Sequence, residues 1–526
     1  MEKRDNGAML IGSLKRAVAQ MVMPRIDGEK LADAAYRGEI HKLAEEGIGG
    51  FILFGGDIKS TPAYLAELQA KAEHRLLISS DVERGLGQQL AGGTRFPSQR
   101  AVSAAIDRRS KKDSDLLNRM LDAVRTESRA AGIHIVFSPV MDVNNNPDNP
   151  IICTRAFGDD PQTVEWFGKQ YIRRLQKPRS NGDLDLLACA KHFPGHGDTD
   201  QDSHSVLPVI RADKARLNRV ELPPFREAVK DGVGTVMIAH LLVPALDPTK
   251  PVTFSKKVVT ALLREGMAFE GLIVSDALDM GALANEYPQG EIAIRAVEAG
   301  MDILLHPVDA RVTVEAVVRA VEQGRLTQER IQESVDRIMG MKKKLGILND
   351  AAPVNAKLDY EKHRKIAQEI SRRAVTVVRG SKGMLPLDAD KGAACFILDD
   401  DSQGRGEAFQ QELMARFVDA TVTTLTPDAC EAALSSHLDI SRAGAAVIAI
   451  FSRISASKGR SGISPKLRDA AIELLKRAKA AGKPSVVISF DSPYILDQFK
   501  DAGLHIACYD RMDEIQRAAA EKLVKG

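Results

Sequence analysis

Over 526 residues the chain has only five cysteines and a net charge of only +2, and it lacks any apolar run of membrane-spanning length. Each shortage excludes something. Cys153, Cys189, Cys395, Cys430 and Cys508 are odd in number and far apart, so they make neither a disulfide framework nor a zinc cluster. They read as reduced, mostly buried thiols. With 73 Lys+Arg against 71 Asp+Glu there is no electrostatic footprint for nucleic acid or an anionic membrane. A membrane span would need about 20 consecutive apolar residues. The opening Met1-Glu-Lys-Arg-Asp-Asn is polar, and no signal-type apolar region follows it. A cytoplasmic protein is expected on these grounds, although a secreted or periplasmic chain stripped of its leader would read the same.

What is present is a globular composition, 44% apolar and 27% charged, at a length that calls for two or three domains. Short runs rich in Val, Ile and Leu, without polar alternation, have the pattern of strands buried on both faces. They recur at Val18–Met23, Gly47–Phe54, Leu76–Ser80, Ile133–Phe137, Leu186–Ala190, Thr235–Ala239, Leu272–Val274 and Asp302–Leu305. Stretches such as Leu31–Glu46, Asp115–Ala131, Val164–Gln176, Leu217–Lys230 and Val312–Gln323 have apolar residues three and four apart, as helices do. Ser255 reads as the N-cap of a helix ending near Gly266. Eight strand–helix units within about 300 residues predict a (β/α)8 barrel over residues 1–345, with a doubly wound open sheet as the alternative. Residues 346–373 read as a connector, interrupted at Pro353-Val-Asn. From 374 to 526 the strand pattern resumes at Val375, Ala394, Ala420, Ala445, Ser485 and Ile506, predicting a smaller α/β domain, a three-layer sandwich. That second domain has no Walker-type or GxGxxG loop. Its glycine-rich stretch Ser457–Pro465 reads as an ordinary flexible loop, with anion binding as the alternative.

Ionisable residues gather where the predicted barrel strands end. They are Asp81, Glu83 and Arg84 after the third, Arg155 in the loop after the fourth, and Lys191 and His192 at the fifth. His240 ends the sixth and Asp276 the seventh. That rim is where barrel enzymes place their chemistry. The densest stretch is Lys191-His-Phe-Pro-Gly-His-Gly-Asp-Thr-Asp-Gln-Asp-Ser-His204, in which Pro194, Gly195 and Gly197 forbid regular structure. Asp276 suits nucleophilic attack or stabilisation of a cation, against the plainer reading of a helix cap. His204 lies two residues after Asp202, a spacing that lets a carboxylate orient one ring nitrogen and leave the other for proton transfer, against a merely solvated loop histidine. Lys191 and His192 admit a buried hydrogen-bonded pair as their plainer reading. His192, His196 and His204 also permit a metal site, but the i, i+4 pair would need a helix that Pro194 and the glycines prevent.

Three segments carry a resemblance. Lys191-His-Phe-Pro-Gly-His-Gly with Asp202-Ser-His204 resembles the signature of family 3 glycoside hydrolases of the β-N-acetylglucosaminidase type. Ile273-Val-Ser-Asp276-Ala-Leu-Asp-Met-Gly281 resembles that family's nucleophile segment. Thr154-Arg155-Ala-Phe-Gly-Asp-Asp-Pro161 resembles its arginine loop, with Ala156 where Ser is usual. The resemblance implies a two-step retaining hydrolysis of terminal N-acetylglucosaminides with no metal and no organic cofactor. In it Asp276 is the nucleophile, His204 supported by Asp202 is the acid/base, and Asp81, Arg155, Lys191 and His192 bind sugar hydroxyls. It further implies a carbohydrate partner, in many such enzymes a cell-wall fragment met during peptidoglycan recycling, and some relatives use phosphate in place of water. An imidazole suits acid and base work because its ordinary pKa is near ~6.5.

The sequence also departs from the family. The usual Asp-x-Glu-Gly-Gly turn reads Asp81-Val-Glu-Arg-Gly-Leu-Gly, and the arginine expected just beyond it falls near Gln88-Gln89. Two other functions stand beside the leading one: a metal-dependent barrel hydrolase using His192, His196 and His204, and a non-catalytic sugar-binding relative.

Overall fold

The computed structural model describes residues 13–348, 358–435, 440–453, 458 and 461–526. The polar opening Met1–Asn6, the Pro353-Val-Asn interruption and part of the Ser457–Pro465 stretch lie outside the described residues. The chain forms two compact units, neither continuous in sequence. One takes the chain up to Phe96, then Leu116–Asn146 and Gly158–Arg364; the other takes Pro97–Asp115, Pro147–Phe157 and Lys365–Gly526. Two excursions from within the expected barrel, 97–115 and 147–157, thus group with the C-terminal residues.

The first unit is a parallel barrel. Its strands are β1 (Val22–Met23), β2 (Arg25–Asp27), β3 (Gly50–Phe54), β4 (Leu77–Ser80), β5 (Ile135–Val136), β6 (Leu187–Phe193), β7 (Thr235–Ile238), β8 (Leu272–Ser275) and β9 (Leu304–Leu305). From β2 to β8 each pairs with the next in order. The sheet's ends meet through the Val22↔Leu304 pairing of β1 with β9 and the Val274↔Ile303 bridge. The first strand differs from expectation. Residues 14–19 are helical, and the strand runs through Pro24 as β1 and β2, because a proline lacks a donor but still presents its carbonyl, which accepts from Ile52 N at 2.9 Å. The expected helix Leu217–Lys230 is two helices, Lys214–Arg219 and Pro223–Lys230, broken by Pro223-Pro224. Ser255 does not cap with its side chain; its hydroxyl donates to Asp247 at 2.8 Å. Asp302 is fully buried below the strands. It accepts from Arg264, Ser334 and Arg337 and from the Ile273 amide, tying the closing helix Gln328–Lys344 to β8 and β9.

The second unit is a six-stranded sheet of β10 (Thr376–Gly380), β11 (Ala393–Asp399), β12 (Ala420–Leu425), β13 (Ala445–Phe451), β14 (Ser485–Ser489) and β15 (Leu504–Ala507). Its order is β10-β15-β14-β13-β11-β12, with β10 antiparallel and the rest parallel. The five parallel strands therefore follow the 2-1-3-4-5 order of flavodoxin-like sheets. Helix Glu407–Arg416 packs with Asp513–Lys525, and Cys430–Ser435 with Pro465–Ala480, giving helical layers around a sheet whose central strands are wholly buried. All five cysteines are buried and none is in a disulfide. No helix among the described residues is long and apolar enough to cross a membrane.

Candidate active site

The site grows from one irregularity. β6 runs to Phe193, three residues beyond its expected end at Ala190, but its pairing with β7 shifts between Ala190 and Phe193. Lys191 and His192 occupy that shift. The Lys191 amide and carbonyl turn to the other neighbour, bonding Pro139 O and Met141 N, so its side chain is held at the strand's C-terminal end. The Lys191 Nζ lies 2.6 Å from Asp81 Oδ1 and 2.7 Å from Glu83 Oε1. The cation is almost wholly buried, and only two carboxylates in such reach make that tolerable. Asp81 ends β4, and its carbonyl accepts from Gln89 Nε2 at 2.9 Å.

His192 is aimed by a residue the sequence reading missed. Asp142 is fully buried and accepts from the His192 amide at 3.1 Å, from His192 Nδ1 at 2.7 Å and from the His196 amide at 2.7 Å. Burial pushes this carboxyl's pKa up, but His192, His196 and these donors outweigh it and hold it below the usual carboxylate range. With Nδ1–H given to Asp142, the ring's orientation and tautomer are set by that carboxylate. The signal available was a lone carboxylate soon after the apolar Ile133–Phe137 run, which spacing alone cannot link to a histidine fifty residues on.

Asp276 follows β8, its amide donating to Ile238 O at 3.0 Å. Burial works against its charge, but His192, His240, the Ala277 N–H at 2.8 Å and Lys191 together keep its pKa below the usual value. The helix-cap reading fails: the next helix is Gly281–Ala284, and among the described residues the Asp276 side chain accepts from the adjacent Ala277 amide and not from a helix amide. His240 is buried, and its Nε2 donates to the Ala277 carbonyl at 2.9 Å while Nδ1 faces Thr253 Oγ1 at 2.7 Å. A carbonyl can only accept, so the tautomer is fixed. His240 braces the backbone immediately after Asp276.

His204 sits on the loop after β6. Its Nδ1 is 2.8 Å from Asp202 Oδ1, which also accepts the His204 amide at 2.9 Å. Asp202 is buried while the imidazole is 38% exposed, so the ring is oriented from below and its Nε2 is open. The loop is fastened to the segment beyond Asp276: Gly281 N donates to His204 O at 3.2 Å and Ala282 N to Ser203 O at 3.3 Å. The three imidazoles of the metal reading go to separate partners, His192 to Asp142, His196 to Ser203 Oγ and His204 to Asp202. Among the described residues no group of three His, Cys, Asp or Glu is placed to hold a metal ion.

Arg155 ends the short helix Cys153–Arg155 and belongs to the second unit, where its guanidinium donates to Ile151 O at 3.3 Å. Two further acids near these loops are paired, Asp198 with Arg216 at 2.8 Å and Asp279 with His306 at 3.4 Å. The altered turn after Asp81 is an excursion that returns. Gly87 N bonds Thr94 O at 2.9 Å and Phe96 N bonds Arg84 O at 2.8 Å, so Arg95 comes back beside the turn. Gln88 and Gln89, where the family's arginine is expected, bond the turn's own backbone.

A parallel barrel whose strand ends assemble an ionised carboxylate, a Lys–carboxylate cluster and an imidazole oriented by a second carboxylate has the makings of a hydrolytic enzyme. The chain belongs to glycoside hydrolase family 3: residues 13–341 match the model of the glycosyl hydrolase family 3 N terminal domain. It is a glycoside hydrolase. It is 29% identical over 496 residues to a beta-hexosaminidase A of Pseudoalteromonas piscicida, covering 86% of this chain and 81% of that one. It is 30% identical over 394 residues to a beta-N-acetylglucosaminidase/beta-glucosidase of Cellulomonas fimi, covering 71% and 67%. Among solved structures, a glycoside hydrolase family 3 beta-N-acetylglucosaminidase from Paenibacillus sp. str. FPU-7 superposes with a TM-score of 0.83 at 31% identity, covering 97% of this chain and 96% of that one.

Proposed function

We propose that this glycoside hydrolase is an exo-acting, retaining β-N-acetylglucosaminidase, with Asp276 as nucleophile and His204 as acid/base. The observation that carries the reading is the Asp202–His204 pair, fastened to the segment that follows Asp276. In the first step an Asp276 oxygen bonds C1 as the bond from C1 to the leaving oxygen breaks, and His204 Nε2 gives its proton to that oxygen. In the second, neutral His204 Nε2 takes a proton from water, the water oxygen bonds C1, and the Asp276 carboxylate is released. The buried Asp202 stabilises the imidazolium and fixes which nitrogen works. Retaining enzymes with two carboxylates hold them about 5–5.5 Å apart; a histidine on a loop replaces that fixed spacing here.

Lys191, His192, Asp81 and Arg155 are assigned to sugar hydroxyls. Lys191, locked between Asp81 and Glu83, presents a preorganised charged donor, and Asp142 holds His192 Nδ1 and so sets the orientation of its ring. Cell-wall fragments carrying terminal N-acetylglucosamine are the substrates proposed, in a cytoplasm that keeps the buried thiols reduced. Aryl N-acetyl-β-glucosaminide and the matched glucoside, assayed with and without chelator and phosphate, test the reading. The expected result is faster, chelator-insensitive cleavage of the acetamido sugar with the β-anomer released first. Preference for the glucoside rejects the substrate, loss with chelator favours the metal enzyme, and binding without turnover favours the sugar-binding relative.

A further inference from the structure

The Arg155 loop is built into the second unit by a continuous chain of hydrogen bonds that starts beyond the last strand. After β15 the chain turns at Tyr509, a non-glycine residue at φ +60°, and presents Asp510. Asp510 is completely buried. Its Oδ1 accepts from the amides of Arg511 at 2.7 Å and Met512 at 3.2 Å, while Oδ2 accepts from the Ser98 amide at 2.8 Å. Ser98 Oγ donates to Tyr509 O at 2.7 Å and accepts from Ala101 N at 3.2 Å, capping the helix Gln99–Ala105. One carboxylate thus fixes both the end of β15 and the start of that helix.

The helix passes the hold on. Gln99 Nε2 donates to the Arg155 carbonyl at 2.9 Å, and Arg100 Nη1 donates to the Phe157 carbonyl at 3.3 Å. Gln99 is buried, so its bond is shielded from competing water. The loop's other end is held as well: Ser461 Oγ donates to Pro147 O at 3.0 Å, and Asn149 Oδ1 accepts from the amides of Ile151 and Ile152. Between these anchors Cys153 is at φ +39°, a conformation that β-unbranched but non-glycine residues keep only under restraint. We infer that the C-terminal α/β unit is a positioning device for the Arg155 loop, with Asp510, Ser98 and Gln99 as positioning residues acting through the backbone of Arg155. The inference rests on the proposed role of Arg155 in binding sugar; its structural half stands apart from that role.

Two measurements on the full chain test it. Hydrogen exchange of the amides of residues 151–157 is compared in wild type, Asp510→Asn and Gln99→Leu. Asn keeps the shape at 510 but has one acceptor oxygen for donors that approach from two sides, and Leu at 99 removes the bond to Arg155 O while leaving Asp510 and Ser98 in place, so a misfolded Asp510 variant leaves the second to decide. Faster exchange at 151–157, with β4 and β6 amides unchanged, is expected; unaltered exchange at 151–157 in a folded Gln99→Leu overturns the inference whether or not the enzyme cleaves N-acetylglucosaminides. On aryl N-acetyl-β-glucosaminide, Gln99→Leu should raise KM about fivefold with little change in kcat, the cost of one positioning hydrogen bond. Adding Arg155→Ala should then raise KM by less than it does in wild type, because both act through one group. Full additivity of the two variants overturns the link to Arg155. A wild type that cleaves no glycoside rejects the functional reading and leaves the exchange result to decide the structural one.

Discussion

At the scale of single residues, the division of labour proposed for Asp276 and His204 predicts a leaving-group test. Asp276→Asn should lose activity on every substrate, since no covalent bond to C1 can form. His204→Ala should slow release of sugar leaving groups strongly and of dinitrophenolate little, because dinitrophenolate departs without a proton. Its second step should still be slow, so a dinitrophenyl substrate gives a burst followed by a low steady rate; equal losses on both leaving groups with no burst would remove His204 from the role. Lys191→Ala should lower kcat/KM by about 1.5–3 kcal/mol, the range for a charged hydrogen bond. It should also move the acid limb of the pH profile upward. Lys191 is one of the groups holding the Asp276 pKa down, so without it Asp276 protonates at higher pH and the ionised nucleophile is lost sooner as pH falls. A pH–rate profile whose acid limb stays put would show that another group sets it.

At the scale of elements, the His204 loop and the segment after Asp276 are joined through their backbones. Gly281 lets them meet: a Cβ there would lie 2.7 Å from the His204 carbonyl oxygen, 2.9 Å from Asn285 Nδ2 and 3.2 Å from Ser205 O. Two of those neighbours are loop backbone, so the loop must shift. Gly281→Ala is expected to act as a mild His204→Ala, with a greater loss on sugar leaving groups than on dinitrophenyl and little change in thermal stability. Uniform loss on both substrates would place the damage at Asp276 instead. A Ser98→Ala variant, by contrast, loses an N-cap worth about 1 kcal/mol, which a lowered melting temperature would report.

At the scale of the whole molecule, stability should carry the mark of Lys342. It sits on the closing helix in a run of three lysines, yet it is wholly buried, its Nζ 2.7 Å from Gln20 Oε1. Burial pulls its pKa from 10.5 down to about 7. The unfolded chain therefore binds a proton between about pH 7 and pH 10 that the folded chain does not, so this group's contribution makes stability rise with pH across that window. At and below neutral pH the cost is on the order of 4–5 kcal/mol, from about 1.4 kcal/mol per pKa unit. Lys342→Met keeps the volume, removes that cost and leaves Gln20 Oε1 without its donor, which costs about 1–3 kcal/mol. The variant should be more stable than wild type at pH 7 and lose that advantage by pH 9–10. Denaturant titrations at the two pH values check this, and a difference independent of pH would mean that the lysine titrates normally.

The sequence by itself determined the parallel barrel, its strand order and the α/β character of the second unit, because strands buried on both faces must be apolar throughout and local spacing records it. It likewise marked Asp276, Lys191, His192 and the Asp202–His204 pair, since those lie at strand ends or two residues apart. Only the tertiary structure decided who holds them. Asp142 behind His192, Glu83 beside Lys191, Gly281 under His204 and Asp510 behind the Arg155 loop are partners far apart along the chain, and periodicity carries no record of such pairings. The same holds for the interruption of β6: Lys191 reads as the end of an apolar run, but its place inside a strand follows from carbonyls and amides of β5's far loop and β7 competing for its backbone. Burial of one lysine out of three in a row is equally invisible in composition, because helical phase against a packed neighbour, and not residue type, selects which side chain is shut away from water.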